Sequence, residues 1–238
     1  MQSPKLFIFA LIVLISVSCK TKSKDTPKLD NTFISGTGKL IPINYSDTNY
    51  SGMASYAVDT TTADGWTIKY LVKDDSTRYK DLYIVCSSGD IKSIYRADNV
   101  LEFRRYFIPT FEAETKTNIC FTHGCATDCS AILVFDKDSS ARFTDYLHVV
   151  KYNTTLGQVL YVTDSTYQNE EKVYELALVD LAKHKTHKLT FNGICDGVYK
   201  PACVDTIIFS KNKVSVTVSV RNSIEDIDQT KQTKTVRL

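Results

Sequence analysis

The stretch from Leu6 to Cys19, LFIFALIVLISVSC, constrains this chain most, because it decides the compartment in which the remaining residues must fold. Lys5 and the amino terminus supply positive charge, and an apolar run of twelve residues extends from Leu6 to Val17. Small residues follow at the end of this run, an order typical of a secretory signal peptide. A transmembrane helix needs about 20 apolar residues to cross the hydrocarbon core. The sequence therefore predicts a signal peptide over residues 1–18 and an exported mature chain.

The residues at the expected cleavage site, Ser16-Val17-Ser18-Cys19, resemble the lipobox of bacterial lipoproteins. Ser16 stands where that family usually has leucine, and the looser boxes of Bacteroidetes lipoproteins are similar. The resemblance implies that Cys19 becomes the first mature residue and carries acyl chains such as palmitate, which anchor the protein to a membrane. Several chains anchor firmly, since each buried CH₂ contributes about 0.8 kcal/mol. The alternative is ordinary cleavage, which would leave a soluble secreted protein with an unpaired cysteine.

Residues 19–45 are expected to form a flexible tether between the lipid anchor and the folded domain. The segment 20–30, KTKSKDTPKLD, is rich in lysine and has too little apolar surface to order itself. Surface-exported Bacteroidetes lipoproteins tend to carry acidic residues directly after the cysteine, whereas this chain has Lys20, Lys22 and Lys24. By that resemblance, we expect a cell-envelope protein that faces the periplasm.

Composition favours one all-β domain over residues 46–238. The chain has 14 tyrosines and 11 phenylalanines besides abundant threonine and valine, and these residue types favour strands. Beyond the signal peptide, the sequence contains no long stretch with the apolar period of a helix. The 29 basic and 27 acidic residues nearly balance, which argues against a nucleic-acid partner.

Successive segments with a period of two residues predict an antiparallel meander. A β-sandwich is the favoured architecture, and propeller-like blades are the alternative. The alternative rests on a strand pattern over residues 160–191 that recurs over residues 207–238, an offset of about 40 to 50 residues that is expected of blades. The predicted strands are 67–73, 82–86, 91–97, 100–108, 131–135, 146–152, 158–162, 173–181, 188–191, 214–220 and 233–238.

Six cysteines follow Cys19, and an even number in an exported chain predicts up to three disulfides. Cys195 and Cys203 form the easiest local pair, across DGVYKPA, although sequence alone leaves the connectivity open. Cys86 would then take a partner from the cluster at residues 120–129, whose other two cysteines would pair locally. The disulfide candidates are Cys86, Cys120, Cys125, Cys129, Cys195 and Cys203.

The cluster at residues 120–129 also suggests a metal or thiol-redox site. Cys120, His123, Cys125 and Cys129 combine soft sulfur ligands with an imidazole, a set that suits zinc or Cu(I). The string FTHGCATDC looks like the Cys-x-x-x-Cys site of Sco-type copper-delivery proteins, which are also membrane-tethered. That resemblance implies copper at this cluster. The segment after Cys129, SAILVFDKD, predicts a strand where that family has a helix.

Function is expected to be a non-enzymatic binding or structural role, with the metal or thiol-redox site as the alternative. The sequence contains no GxSxG, Walker A or HExxH string, and it suggests no catalytic residue. The expected partners are a membrane, through the lipid anchor, and a protein or glycan ligand. Trp66 and the tyrosines would offer aromatic faces to a glycan. A β-rich enzyme acting on envelope polymers is a third possibility.

Overall fold

A computed structural model describes most of the chain after the amino-terminal segment. The predicted signal peptide, Cys19 and the first part of the predicted tether lie outside the described residues. No helix among the residues below is both long enough and apolar enough to cross a membrane. The described residues are 39–47, 50–73, 81–98, 105–126, 128–163, 166, 173–195 and 199–238.

The described chain is all-β, as predicted, and its strands form four antiparallel sheets that follow one another along the sequence. Three short 3₁₀ helices, Ser51–Met53, Arg105–Phe107 and Lys200–Cys203, accompany them. Sheet 1 contains β1 (Leu40–Pro42), β2 (Thr60–Thr61), β3 (Thr67–Lys73), β4 (Leu82–Ser88) and β5 (Ile91–Ala97). Sheet 2 contains β6 (Thr110–Glu114), β7 (Asn118–Ala126), β8 (Cys129–Asp136) and β9 (Phe143–Tyr146). Sheet 3 contains β10 (Val149–Asn153), β11 (Gln158–Val162), β12 (Val173–Asp180) and β13 (Lys185–Asn192). Sheet 4 contains β14 (Val204–Ser210), β15 (Lys213–Val220) and β16 (Thr230–Arg237).

Neighbouring strands in each sheet are also neighbours in sequence, except that β1 pairs with β3, which β2 also pairs with. Strands β3–β5 and sheets 2, 3 and 4 are therefore antiparallel meanders, as predicted. The first strand, β1, lies inside the segment 19–45 that was expected to be tether. The repeated pattern at residues 160–191 and 207–238 corresponds to β11–β13 and β14–β16, which are equivalent three-stranded units of sheets 3 and 4.

The sheets stack in series, and three layers of buried side chains separate them. Ile68 and Ile84 of sheet 1 pack with Phe135 of sheet 2 in the first layer. Ile132 and Val134 of sheet 2 meet Val159 and Val179 of sheet 3 in the second layer. The third layer joins sheets 3 and 4 and contains, among others, Leu160, Leu176, Phe191, Val214, Val216 and Val218.

The favoured β-sandwich therefore gives way to its alternative, a stack of blade-like sheets. In a sandwich of two sheets each strand has one solvent-facing side, so that burial alternates along it. β8 is instead buried at seven of its eight positions, because sheet 2 has a neighbour on each face. The alternating pattern survives in β15, where Val214, Val216 and Val218 are fully buried in the last layer.

Two predicted strands differ from the structure. Within the segment predicted as strand 100–108, residues 105–107 form a 3₁₀ helix, and residues 100–104 lie outside the described part of the chain. Tyr106 in this helix lies over Gly124 and its hydroxyl donates to the Ala126 carbonyl over 2.8 Å. The strand predicted at 146–152 is divided between β9 and β10. His148 has a φ of +54°, which turns the chain from sheet 2 into sheet 3.

Charged contacts reinforce the boundary between sheets 1 and 2. The Lys137 ammonium, just after β8, lies 2.5 Å from Asp64 of sheet 1's β2–β3 turn and 2.9 Å from Glu114 of β6. It also donates to the Thr115 carbonyl over 2.8 Å. Glu114 accepts from the Thr62 hydroxyl over 2.6 Å. This cluster ties the β2–β3 turn to the neighbouring sheet.

A longer polar contact joins sheets 2 and 3. His184, in the turn between β12 and β13, lies 3.9 Å from Asp136 and 3.7 Å from Asp138 of sheet 2. Asp136 is buried and accepts from the Asn118 amide over 2.7 Å. The first two interlayer boundaries therefore each carry polar side-chain contacts beside their apolar layer.

Candidate functional site

The tip of the β7–β8 hairpin carries the cysteine cluster. Gly124 pairs with Ser130 and Ala126 pairs with Cys129, so that Cys125 is an extra residue with no partner opposite it. Such a bulge re-aims the side chain at that position. Cys125 and Cys129 form a disulfide there, with their Cα atoms 5.1 Å apart. The hairpin therefore brings two of the predicted site residues together.

His148 completes this group, although it lies 19 residues from Cys129 in the sequence. Its Nδ1 atom is 3.4 Å from the Cys129 sulfur, and the ligand atoms of Cys125, Cys129 and His148 all lie within 4.8 Å of one another. Cys129 is buried, whereas Cys125 and His148 are half-buried. Local sequence patterns did not place His148 in this group, because its proximity to Cys129 depends on the connection between sheets 2 and 3.

His123 is engaged elsewhere and does not join the cysteines of this group. Its Nε2 atom lies 3.0 Å from the Asp145 carboxylate, and its Nδ1 atom lies 2.8 Å from the Gly124 carbonyl. Both partners only accept hydrogen bonds, so both ring nitrogens must carry protons to satisfy them. Burial lowers the pKa of His123, but the Asp145 carboxylate and the Gly124 carbonyl outweigh burial and hold this pKa above its ordinary value. A doubly protonated imidazole has no lone pair for a metal ion.

Cys86 and Cys120 are free thiols in the described structure, and each lies in a different layer. Cys86 faces the layer between sheets 1 and 2, whereas Cys120 faces the layer between sheets 2 and 3. They are 0% and 1% exposed, and burial raises the pKa of each thiol to about 12. The thiolate is the reactive form of cysteine, so we expect both to be inert. The structure therefore places Cys120 away from the hairpin tip, and Cys86 forms no disulfide with any cysteine that the structure describes.

Cys195 and Cys203 form the second disulfide, as expected from their spacing. Both are buried at the entry to sheet 4, where Cys203 ends the 3₁₀ helix Lys200–Cys203. Lys200 donates to the Cys195 carbonyl over 2.7 Å, and the Tyr174 hydroxyl donates to the Lys200 carbonyl over 2.9 Å. This disulfide is therefore part of the packed connection between sheets 3 and 4.

Trp66, the aromatic residue suggested for glycan stacking, is a core residue. It is 6% exposed, and its ring meets Phe135 edge-on with centroids 5.1 Å apart. Edge-to-face pairs of this kind add about 1 kcal/mol beyond the burial itself. Trp66 therefore stabilises the first layer and offers no open face to a sugar.

No protein-family model and no curated protein matches this chain. Among solved structures, the β-propeller domain of the Trilobed protease from Pyrococcus furiosus, described as having an open velcro topology, is similar over 77% of this chain. The identity is 14% and the TM-score is 0.33. The chain spans 57% of the length of that structure.

Proposed function

We propose that this chain is an exported lipoprotein of the cell envelope, held on a membrane by acylated Cys19 and facing the periplasm, with a non-enzymatic binding or structural role. The carrying observation is the order of positive charge, apolar run, small residues and Cys19 at the amino terminus. The two disulfides support export, because disulfides persist in oxidising compartments and are rare in the cytosol.

The use of the charged side chains supports a structural or binding role over catalysis. Shifted pKa values often mark catalytic groups, but structural ion pairs shift them as well. Glu114 and Lys137 have shifted pKa values and join sheets 1 and 2. The raised pKa of His123 arises in a hydrogen-bonded pair with Asp145 inside sheet 2. Each of these groups is satisfied by a contact that stabilises the stack. The partner would be a protein or a glycan, bound by the domain that the anchor holds at the membrane.

The experiment is a comparison of wild-type protein with the Cys19→Ser variant in cells fed labelled palmitate. We expect the wild type to incorporate label and to sediment with membranes after a high-salt wash, and the variant to lose both properties. Ser16→Leu, which restores the usual lipobox residue, should keep both. Protease added to intact cells should spare the protein, whereas protease added after the outer membrane is permeabilised should digest it. A membrane-bound Cys19→Ser variant, or an unlabelled wild type, would overturn the proposal.

A further inference from the structure

The two disulfides lie in different surroundings. Cys195 and Cys203 are 3% and 8% exposed and belong to the packed connection that leads into sheet 4. Cys125 is half-buried at a hairpin tip, and an imidazole nitrogen lies 3.4 Å from the sulfur of its partner Cys129. Thiol–disulfide exchange depends on access to the attacked sulfur. The hairpin disulfide is therefore the more open of the two to a reductant.

Reduction of this disulfide by a dithiol proceeds in two exchanges. A thiolate of the dithiol attacks the Cys125 sulfur, the bond between the two sulfurs breaks, and the electron pair leaves on Cys129 beside His148. The second thiol of the dithiol then attacks the dithiol sulfur that is bonded to Cys125. This closes the disulfide of the reductant and releases Cys125 as a thiol. The protein gains two electrons and two protons, and the dithiol becomes a disulfide. Two thiols and one imidazole then share the hairpin tip.

We propose that Cys125 and Cys129 form a reversible redox pair whose reduced thiols, together with His148, make a three-ligand site for a zinc-class cation. Zinc binds sulfur at about 2.3 Å and imidazole nitrogen at about 2.0 Å, so in a tetrahedral site these two ligand atoms lie roughly 3.5 Å apart. The Cys129 sulfur and the His148 Nδ1 atom already stand 3.4 Å apart. The sulfurs would separate to about 3.8 Å in such a site. The Cα separation of 5.1 Å permits this by rotation of the side chains.

The ligand set differs from the one expected from sequence. His148 takes the place of His123, whose ring nitrogens both serve as donors, and Cys120 is excluded by its position in the interior. Three protein ligands leave the fourth position of zinc to water or to a small ligand. The disulfide and the metal exclude each other, so the redox state of the hairpin decides whether the site exists. This inference goes beyond the lipoprotein role and does not depend on acylation of Cys19.

The redox test equilibrates the mature full-length protein with buffers of increasing ratio of reduced to oxidised dithiol, traps thiols by alkylation and maps the cysteines by peptide mass. We expect the disulfide Cys125–Cys129 to open at a ratio at least tenfold lower than Cys195–Cys203, which corresponds to about 30 mV for a two-electron couple. Opening of both disulfides at the same ratio, or of the buried one first, would overturn the proposal.

The metal test titrates Zn²⁺ into protein opened only at the hairpin, in competition with a chromophoric chelator. We expect one equivalent to bind the reduced protein and none to bind the oxidised protein, and Cd²⁺ to give a thiolate charge-transfer band. His148→Gln should weaken zinc binding by at least about tenfold. His184→Gln should leave it unchanged, and this is a matched control because His184 is also a turn histidine with positive φ. Equal affinity in wild type and His148→Gln, or no stoichiometric binding, would contradict the site. Far-UV circular dichroism of each variant checks its fold.

Discussion

His123 of β7 and Asp145 of β9 form a hydrogen bond of 3.0 Å that spans the intervening strand β8. The other carboxylate oxygen of Asp145 accepts from the Tyr95 hydroxyl of sheet 1 over 3.2 Å. The His123 side chain is 9% exposed and its second nitrogen meets the Gly124 carbonyl. A charged histidine thus joins β7 to β9, the two strands on either side of β8. Through Asp145, it is also linked to sheet 1.

This contact predicts a pH dependence of stability. The pKa of folded His123 is raised above the ordinary value of 6.5. The pair therefore contributes fully below about pH 6.5, and its contribution is lost as the pH rises through the folded pKa. We expect His123→Gln to lower the free energy of unfolding by about 2 kcal/mol at about pH 6, and by less at about pH 9. Urea unfolding of both proteins across this range measures the difference.

Asp145→Asn is the control for this pH effect, since it removes the carboxylate and retains the size of the side chain. In proteins that carry Asp145→Asn, the difference in unfolding free energy between His123 and His123→Gln should no longer depend on pH. A gap that stays equally pH-dependent without the carboxylate would show that another group is responsible.

Removal of the Lys137 charge, at the boundary between sheets 1 and 2, should strongly lower the free energy of unfolding. Its side chain is 7% exposed, and Glu114, one of its two carboxylate partners, is 9% exposed. Lys137→Met leaves the Glu114 carboxylate buried without its cation, which we expect to cost about 3 kcal/mol of unfolding free energy. The matched control is Lys183→Met, because Lys183 pairs with Asp180 over 3.3 Å but is 56% exposed. The control should cost less than about 1 kcal/mol. Equal losses in urea unfolding would contradict the assignment.

At Gly193, where the chain leaves sheet 3 toward sheet 4, we expect any added side chain to clash with the backbone. Its φ is +132°, and a Cβ atom there would lie 2.6 Å from the Arg221 carbonyl oxygen, next to the Ile194–Arg221 bridge. We expect Gly193→Ala to destabilise by about 3 kcal/mol, because backbone must move. Gly89→Ala is the control, since its φ is +55° but no atom of the described residues lies within 4 Å of the new Cβ atom. That variant should cost about 1 kcal/mol, so similar melting temperatures for the two variants would refute the close contact.

The buried thiols predict slow alkylation of the native protein. Cys86 and Cys120 should stay unmodified at about pH 8, where a thiol with a raised pKa is almost entirely protonated. An added cysteine at the exposed turn, Ser139→Cys, provides a reference and should react at least about a hundredfold faster. Time-resolved peptide mass mapping gives the three rates. Comparable rates for Cys86 and the reference would place Cys86 at the surface.

Many of the strands can be predicted from the sequence, because a two-residue apolar period or a continuous apolar run identifies them. The alternating valines of β15 and the apolar runs of β8 and β11 appear where they were predicted. By contrast, β6 and β7 escaped prediction, since FTHGC in β7 places threonine, histidine and glycine in the strand beside apolar residues. Their strand conformation comes from pairing with β8, a tertiary effect on a weak local preference.

Local sequence patterns could not predict the order of the layers, nor that His148 lies beside Cys125 and Cys129. The repeated strand pattern of residues 160–191 and 207–238 was the sequence feature that suggested blades. The continuous burial of AILVF in β8, on both faces of its sheet, became clear only from the structure. The approach of His148 to Cys129 depends on how the chain crosses from sheet 2 to sheet 3, with His148 itself in the left-handed region at the crossing. The spacing of Cys129 and His148 along the chain does not indicate that the two side chains meet.

The intact mass of the membrane-extracted protein is the decisive measurement for lipid-anchored export of this disulfide-stabilised domain. After alkylation under denaturing conditions, we predict a chain that begins at Cys19, carries the added mass of acyl chains there and has two alkylated thiols, Cys86 and Cys120. Prior reduction should add the four cysteines of the two disulfides. A mass that retains residues 1–18, or one that begins at an unmodified Cys19, would contradict the account.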